Sequence, residues 1–255
     1  MPSLLVSAVD HLFDDAGLFP PARRPMAEAL RAHHQATTGP HARLVGPFLC
    51  PVSRLEELDA CVAGGLPRPA SVGVIAYDLG RTGRRPAAVS GLVQFEAPLG
   101  TSLPDLGGRV VRYLELPQAG KVHEALNAIA GAGARAKIRC GGMSREDTPP
   151  PDRVADVLVG CVERGLKLKA TSGLFHPFTE TGPVGRRYGF VNLLAAAAAA
   201  RTGGFRSQVA GILTLEEPDA LGLVERLSRA RELLISIGVP SIDEPVSGLV
   251  ERGLL

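Results

Sequence analysis

Residues 166–171 read Leu-Lys-Leu-Lys-Ala-Thr, with the apolar residues on one parity and the two lysines and the threonine on the other. Successive side chains of a strand point to opposite faces, so this is a two-faced strand with one cationic side. In a closed parallel barrel the outer positions pack beneath helices and must be apolar, which sends Lys167, Lys169 and Thr171 into the barrel, Lys167 deeper than Lys169. The opposite phase would bury two ammonium groups against helices at high cost. Residues 136–140, Ala-Lys-Ile-Arg-Cys, repeat the alternation and place Lys137 and Arg139 inward, just ahead of the close-approach pair Gly141 and Gly142.

Moving outward, short aliphatic or β-branched runs at 43–50, 72–78, 92–97, 110–116, 136–140, 166–171, 208–215 and 233–237 suggest eight strands. Helical patterns at 53–63, 121–130, 152–164, 189–200 and 218–231 lie between them, several opened by Ser, Asp or an early proline. Alternation of this kind builds a parallel sheet. A doubly wound sheet would carry a glycine-rich dinucleotide turn after its first strand, and none is present. The 255 residues match the roughly 250 that a closed barrel needs. The expected fold is therefore α/β, a single-domain (β/α)8 TIM barrel over residues 1–255. Residues 1–40 are expected as an N-terminal extension packing on it, with a helix at 26–35 capping the barrel bottom or meeting a partner subunit. Residues 79–91 and 97–109 are rich in Gly, Pro and Arg and lack a helical pattern.

Composition excludes several classes. A formal charge of +2 and 4% aromatics give no basic, base-stacking surface, so nucleic acid is not expected. No apolar stretch reaches the roughly 18–20 residues of a membrane span, because the alanine tract at 195–200 ends at Arg201 and Gly203. The first residues are interrupted by Asp10, His11, Asp14 and Asp15 and do not read as a signal peptide. Cys50, Cys61, Cys140 and Cys161 form no CxxC pair and no metal-spaced cluster, so reduced thiols in a cytoplasm are expected, with no metal and no cofactor. A homo-oligomer is left open.

Four inward cations on adjacent strands need counter-charge, and Glu115, Glu96 and Asp78 stand at the ends of the preceding strands. The resulting charged cup is either a self-satisfied ionic layer or a ligand site, and its place at the carboxyl ends of the strands favours the site. Around it, His176 is a surface residue or an acid–base group, and Asn192 either caps a helix or holds a substrate oxygen. Arg186 and Arg187 are solvated loop residues or an anion clamp, residues 238–241 a turn or an anion-binding loop, and Asp14 and Asp15 reach the barrel mouth or cap local turns.

The stretch Lys169-Ala170-Thr171-Ser172-Gly173 resembles the Lys-Thr-Ser-Thr-Gly signature on the sixth strand of deoxyribose-phosphate aldolase, and it falls on the sixth strand of the order above. That resemblance implies a Schiff base at Lys169. The aldolase's second lysine, on its seventh strand, has no counterpart in residues 208–215. Over its whole length the chain also resembles a group of uncharacterised bacterial barrels that share Asp-Ala-Gly-Leu-Phe-Pro-Pro, Lys-Ala-Thr-Ala-Gly-Leu-His-His-Pro and Asp-Glu-Pro. Here these read 15–21, 169–177 and 243–245, with Phe175 in place of the first histidine of the pair. This second resemblance implies a shared fold and site without naming a reaction.

The expectation is a lyase or aldolase-type enzyme for a small anionic carbonyl metabolite. Lys169 would be the nucleophile, its pKa lowered by Lys137, Arg139 and Lys167, with Glu115 and His176 moving protons. Lys137, Arg139, Lys167, Asp78, Glu96, Thr171, Ser172 and Asn192 would bind substrate. The alternatives are a non-covalent isomerase or hydrolase using the same charges and a non-catalytic ligand-binding barrel.

Overall fold

The barrel closes on a strand that the sequence pattern did not reveal. In the computed structural model, which describes residues 7–77, 89–142, 144–182, 185–216, 227 and 229–255, β1 (Phe13–Asp15) hydrogen-bonds on one side to β2 (Val45–Pro51) and on the other to the last strand, β10 (Leu234–Val239). Between them β3 (Val72–Ile75), β4 (Leu92–Pro98), β5 (Val111–Glu115), β6 (Arg135–Arg139) and β7 (Leu168–Thr171) follow in chain order. The result is a closed, wholly parallel eight-stranded barrel, the (β/α)8 architecture. A separate hairpin, β8 (Glu180–Gly182) and β9 (Gly185–Arg187), stands outside the ring.

Residues 1–40 are thus no extension packed on a finished barrel. Their described part supplies the first strand and first helix. The strand is three residues long and carries two aspartates, which hides it from a search for apolar runs. Helix α1 (Met26–Thr38) is fastened to it through His33 Nδ1, 3.1 Å from Asp15 Oδ2. Helices α2 (Leu55–Ala63), α3 (Val122–Gly131), α4 (Pro151–Glu163), α5 (Phe190–Arg201), α6 (Arg206–Ile212) and α7 (Asp243–Glu251) complete the described outer layer. The connection from β4 to β5 carries no helix, in keeping with its Gly- and Pro-rich sequence.

The expected strand at 208–215 is α6 instead. Val209, Ala210 and Leu213 are buried while Gln208 and Gly211 are exposed, a spacing of one and four that belongs to a helix and not to period two. The side chain of Gln208 accepts from the Phe205 N–H at 3.0 Å and caps its start. Helix α6 packs on α4 and α5. It thereby covers α5, whose residues 190–200 are all buried, and the alanine run is what lets neighbours approach on every side. The expected helix at 218–231 falls largely outside the described residues. With β1 counted, Lys169 lies on the seventh barrel strand, so the positional match to the aldolase's sixth strand is lost.

The barrel interior is divided. Strands β4 to β7 point long polar side chains inward, whereas β2, β3 and β10 turn glycines toward them. A methyl group at Gly46 would land on Asp14 Oδ1, and one at Gly73 would lie 2.6 Å from both Gln94 Nε2 and Leu49 Cδ2. These glycines are the space into which the charged half extends. Gly73→Ala should therefore destabilise the fold by about 1–3 kcal/mol in urea denaturation. Gly211→Ala, at an exposed helical position with nothing within 4 Å of the new methyl, should instead stabilise it by about 0.4–1 kcal/mol.

Candidate functional site

Two of the chain's four lysines, Lys121, Lys137, Lys167 and Lys169, enter the barrel, although arginine supplies 24 of the 28 basic residues. The register sets Lys137 of β6 beside Lys169 of β7, and Glu115 of β5 beside Lys137. Glu96 of β4 stands between the lysines, with Oε1 at 2.6 Å from Lys169 Nζ and Oε2 at 2.7 Å from Lys137 Nζ. Lys169 also donates to Asp14 Oδ2, which accepts from Gln94 at 2.9 Å and Ser236 at 3.1 Å. On the other side Lys137 lies 2.9 Å from Glu115 Oε2 and donates to the Tyr77 hydroxyl at 3.1 Å, and that hydroxyl donates to Glu115 Oε2 at 2.7 Å.

The array descends from the mouth into the barrel. Tyr77, two residues beyond β3, is 49% exposed, Glu115 is 9% exposed, and Lys169, Asp14 and Glu96 are fully enclosed. The Tyr113 ring lies 5.7 Å from Lys169 Nζ. Asp14 Oδ1 is buried without a hydrogen-bond partner among the described residues. Ala16, Leu49 and Ile75, with Phe19 against them, form a small apolar cluster apart from the main core.

Electrostatics fix the resting charges. Burial pulls the Lys169 ammonium toward neutrality, but Asp14 and Glu96 outweigh it and hold the pKa above the ordinary lysine value. Lys137 is likewise raised, with burial overcome by Glu96, Tyr77 and Glu115. Burial alone would raise Glu96, yet the two ammonium groups bring it down to about 2. Tyr77 is held up chiefly by burial and stays a phenol at neutral pH. The thiols of Cys50, Cys140 and Cys161 are pushed up to about 12 by burial, which leaves them poor nucleophiles.

Several expected residues sit elsewhere. Lys167 precedes β7, and its ammonium is satisfied by the Glu232 carbonyl; the strand starts two residues later than its alternation suggested. Asn192 is buried at the start of α5, where it accepts from the Thr179 N–H at 2.9 Å and donates to the carbonyls of Ile212 and Leu215 at 2.9 and 2.7 Å. It ties loop to helix and does not face the barrel charges. His176, in the loop after β7, is half-buried and takes no part in the ion-pair array; its carbonyl accepts from Phe190 at 3.0 Å. The positive neighbours expected to lower the Lys169 pKa are outweighed by carboxylates. Asp78 lies outside the described residues.

Arg139 and Thr171 are register partners at the carboxyl ends of β6 and β7, both half-buried. Ser172 follows in a left-handed turn (φ 63°), and Gly173 approaches Gly141 so closely that a methyl at Gly141 would lie 3.0 Å from its Cα. Sequence reading therefore found Lys137, Lys169, Glu96 and Glu115. It left Asp14 open and missed Tyr77, Gln94, Tyr113 and Ser236. Gln94 and Tyr113 carried a usable signal, since they share the inward parity of Glu96 and Glu115.

Among the described residues no group of His, Cys, Asp and Glu is placed to hold a metal ion, and no helix is long and apolar enough to cross a membrane. Two surface clefts, of about 540 and 670 Å³, lie beside α3–α4 and beside α1, and neither includes Lys137, Lys169, Glu96 or Glu115 in its walls. Compared with protein-family models and with curated proteins, the chain matches none.

Glu96→Gln leaves two ammonium groups sharing one fewer anion, and removing one member of a buried ion pair costs about 3–5 kcal/mol; urea denaturation at pH 7 should read a loss of that size. Because the Glu96 pKa is lowered from 4.5 to about 2, its contribution is present above pH 4.5 and disappears as pH falls toward 2. The gap between wild type and Glu96→Gln should accordingly narrow over that window and stay constant between pH 5 and 8.

Proposed function

We propose that this barrel is a lyase or aldolase-type enzyme that acts on a small anionic carbonyl compound through a lysine Schiff base. The observation that carries the reading is the buried lysine pair. Arginine cannot release its proton, so a chain that uses arginine almost everywhere and places lysine at these two adjacent inward positions has there the one cation able to become an amine. Schiff-base chemistry requires that exchange, and Asp14, Glu96 and Glu115 are within reach to take the proton. Lys169 is the amine singled out by the resemblance to deoxyribose-phosphate aldolase; its proton would pass to Asp14 or Glu96. Four free cysteines, none paired with another, support a cytoplasmic setting.

A second reading is favoured by the raised pKa and complete enclosure of Lys169. In it both lysines stay ammonium groups, stabilise an enolate, and leave proton transfer to Glu115 and Tyr77, as in a non-covalent isomerase or hydrolase. Hydrogen–deuterium exchange at the carbon next to the carbonyl, followed by proton NMR in D2O over a panel of small oxo acids and aldehydes, tests both. Exchange activity that is lost after the protein is incubated with substrate and sodium cyanoborohydride and then freed of both supports the covalent reading. Activity that survives this treatment supports the second. The absence of exchange over the whole panel would sink both and leave the charges as architecture.

A further inference from the structure

We infer that Lys137, not Lys169, is the amine that meets the carbonyl carbon, and that Arg139 holds the carboxylate of the same molecule, making the substrate a short-chain oxo acid. This rests on the reading of the site as a Schiff-base centre and names its reacting lysine and its substrate class.

Access separates the two lysines. Lys169 lies behind Asp14 and Glu96, all three without exposure, and the Tyr113 ring lies near it on the inner side. Lys137 is level with Lys169 in the register and nearly as enclosed, 2% exposed, but it lies 3.1 Å from the hydroxyl of the half-exposed Tyr77 and 5.3 Å from the centre of its ring. Tyr77 thus links Lys137 to the mouth, and no such exposed side chain touches the Lys169 ammonium among the described residues.

The anion subsite follows from the strand. Arg139 is two residues beyond Lys137 on β6, on the same face and one step nearer the mouth, a rise of about 6.6 Å. Its Nε is buried and has no hydrogen-bond partner among the described residues. The two enclosed cations on these strands, Lys137 and Lys169, are each paired with carboxylates of the chain. A buried guanidinium donor left open above a paired amine fits a bound carboxylate, which would supply the missing acceptor.

The chemistry balances with the groups present. Lys137 gives one ammonium proton to Glu115, and its nitrogen pair forms the N–C bond while the carbonyl π pair moves to oxygen. Tyr77 donates its proton to that oxygen and recovers one from the nitrogen. Glu115 then returns its proton to the new hydroxyl, which leaves as water as the nitrogen pair closes the iminium. One carbonyl and one ammonium become one iminium and one water, with Glu115 and Tyr77 restored.

The test treats the full chain with pyruvate or with acetone, an uncharged ketone of similar size, in the presence of sodium cyanoborohydride, followed by intact mass and peptide mapping. With four lysines and the terminal amine as the possible sites, peptide mapping resolves every site of reduction. The expected result is a pyruvate adduct on Lys137, at least tenfold above that of acetone, with the preference lost in Arg139→Gln while the acetone adduct is unchanged. Folding of each variant is checked by circular dichroism, and the wild-type map decides the question even if a variant fails to fold. An adduct on Lys169 with Lys137 unmodified overturns this inference and leaves the Schiff-base reading standing. Equal labelling of Lys137 by acetone and pyruvate overturns the role of Arg139. No adduct on either buried lysine overturns the inference together with the Schiff-base reading.

Discussion

Glu96 is the hinge on which the barrel interior turns. One fully buried carboxylate faces two ammonium groups, one from each of its oxygens, and without it Lys137 and Lys169 would each keep a single carboxylate, Glu115 and Asp14, deep in the barrel. Its position decides what surrounds it. Gln94 and Asp14 complete the inner side, Glu115 and Tyr77 the outer side, and the glycines of β2, β3 and β10 make room for side chains too long for a barrel filled by branched aliphatics. The apolar core has consequently moved outward, into the layer between strands and helices, where Phe13 meets the Phe190 ring at 5.2 Å and the alanine helix is enclosed.

Such an interior gives up packing in exchange for charges that can move. Buried ion pairs contribute little net stability relative to an apolar core of the same volume. The stability of this fold therefore comes from the outer hydrophobic layer, and the interior is free to differ chemically without loss of architecture. The same division separates the two lysines. Each is held between two carboxylates, Lys169 between the enclosed Asp14 and Glu96, Lys137 between Glu96 and Glu115, and only Lys137 also meets the half-exposed Tyr77.

How much of this was legible in the sequence depended on period and length. The alternation at 136–140 and 166–171 was long enough to give the inward face of β6 and β7, and with it Lys137 and Lys169. Glu96 and Glu115 followed because a cationic face requires anions. Strand β1 was illegible because three residues, two of them aspartates, carry no period. The segment Val-Ala-Gly-Ile-Leu misled because β-branched and aliphatic residues in sequence look the same whether a helix buries one stripe or a strand buries both faces. Tyr77 could not be found by parity, since it stands beyond the strand end and reaches the array through its hydroxyl alone.

The short first strand has a consequence for the order in which the chain can become functional. Asp14 is separated from Lys169 by 155 residues and from Ser236 by 222, yet it binds both. During synthesis, domains form as their last elements emerge, and β1 has no closing neighbour until β10 leaves the ribosome. Asp14 joins Glu96 on Lys169 only where the two ends of the barrel meet, so the closure of the ring and the completion of its charged centre are one and the same contact.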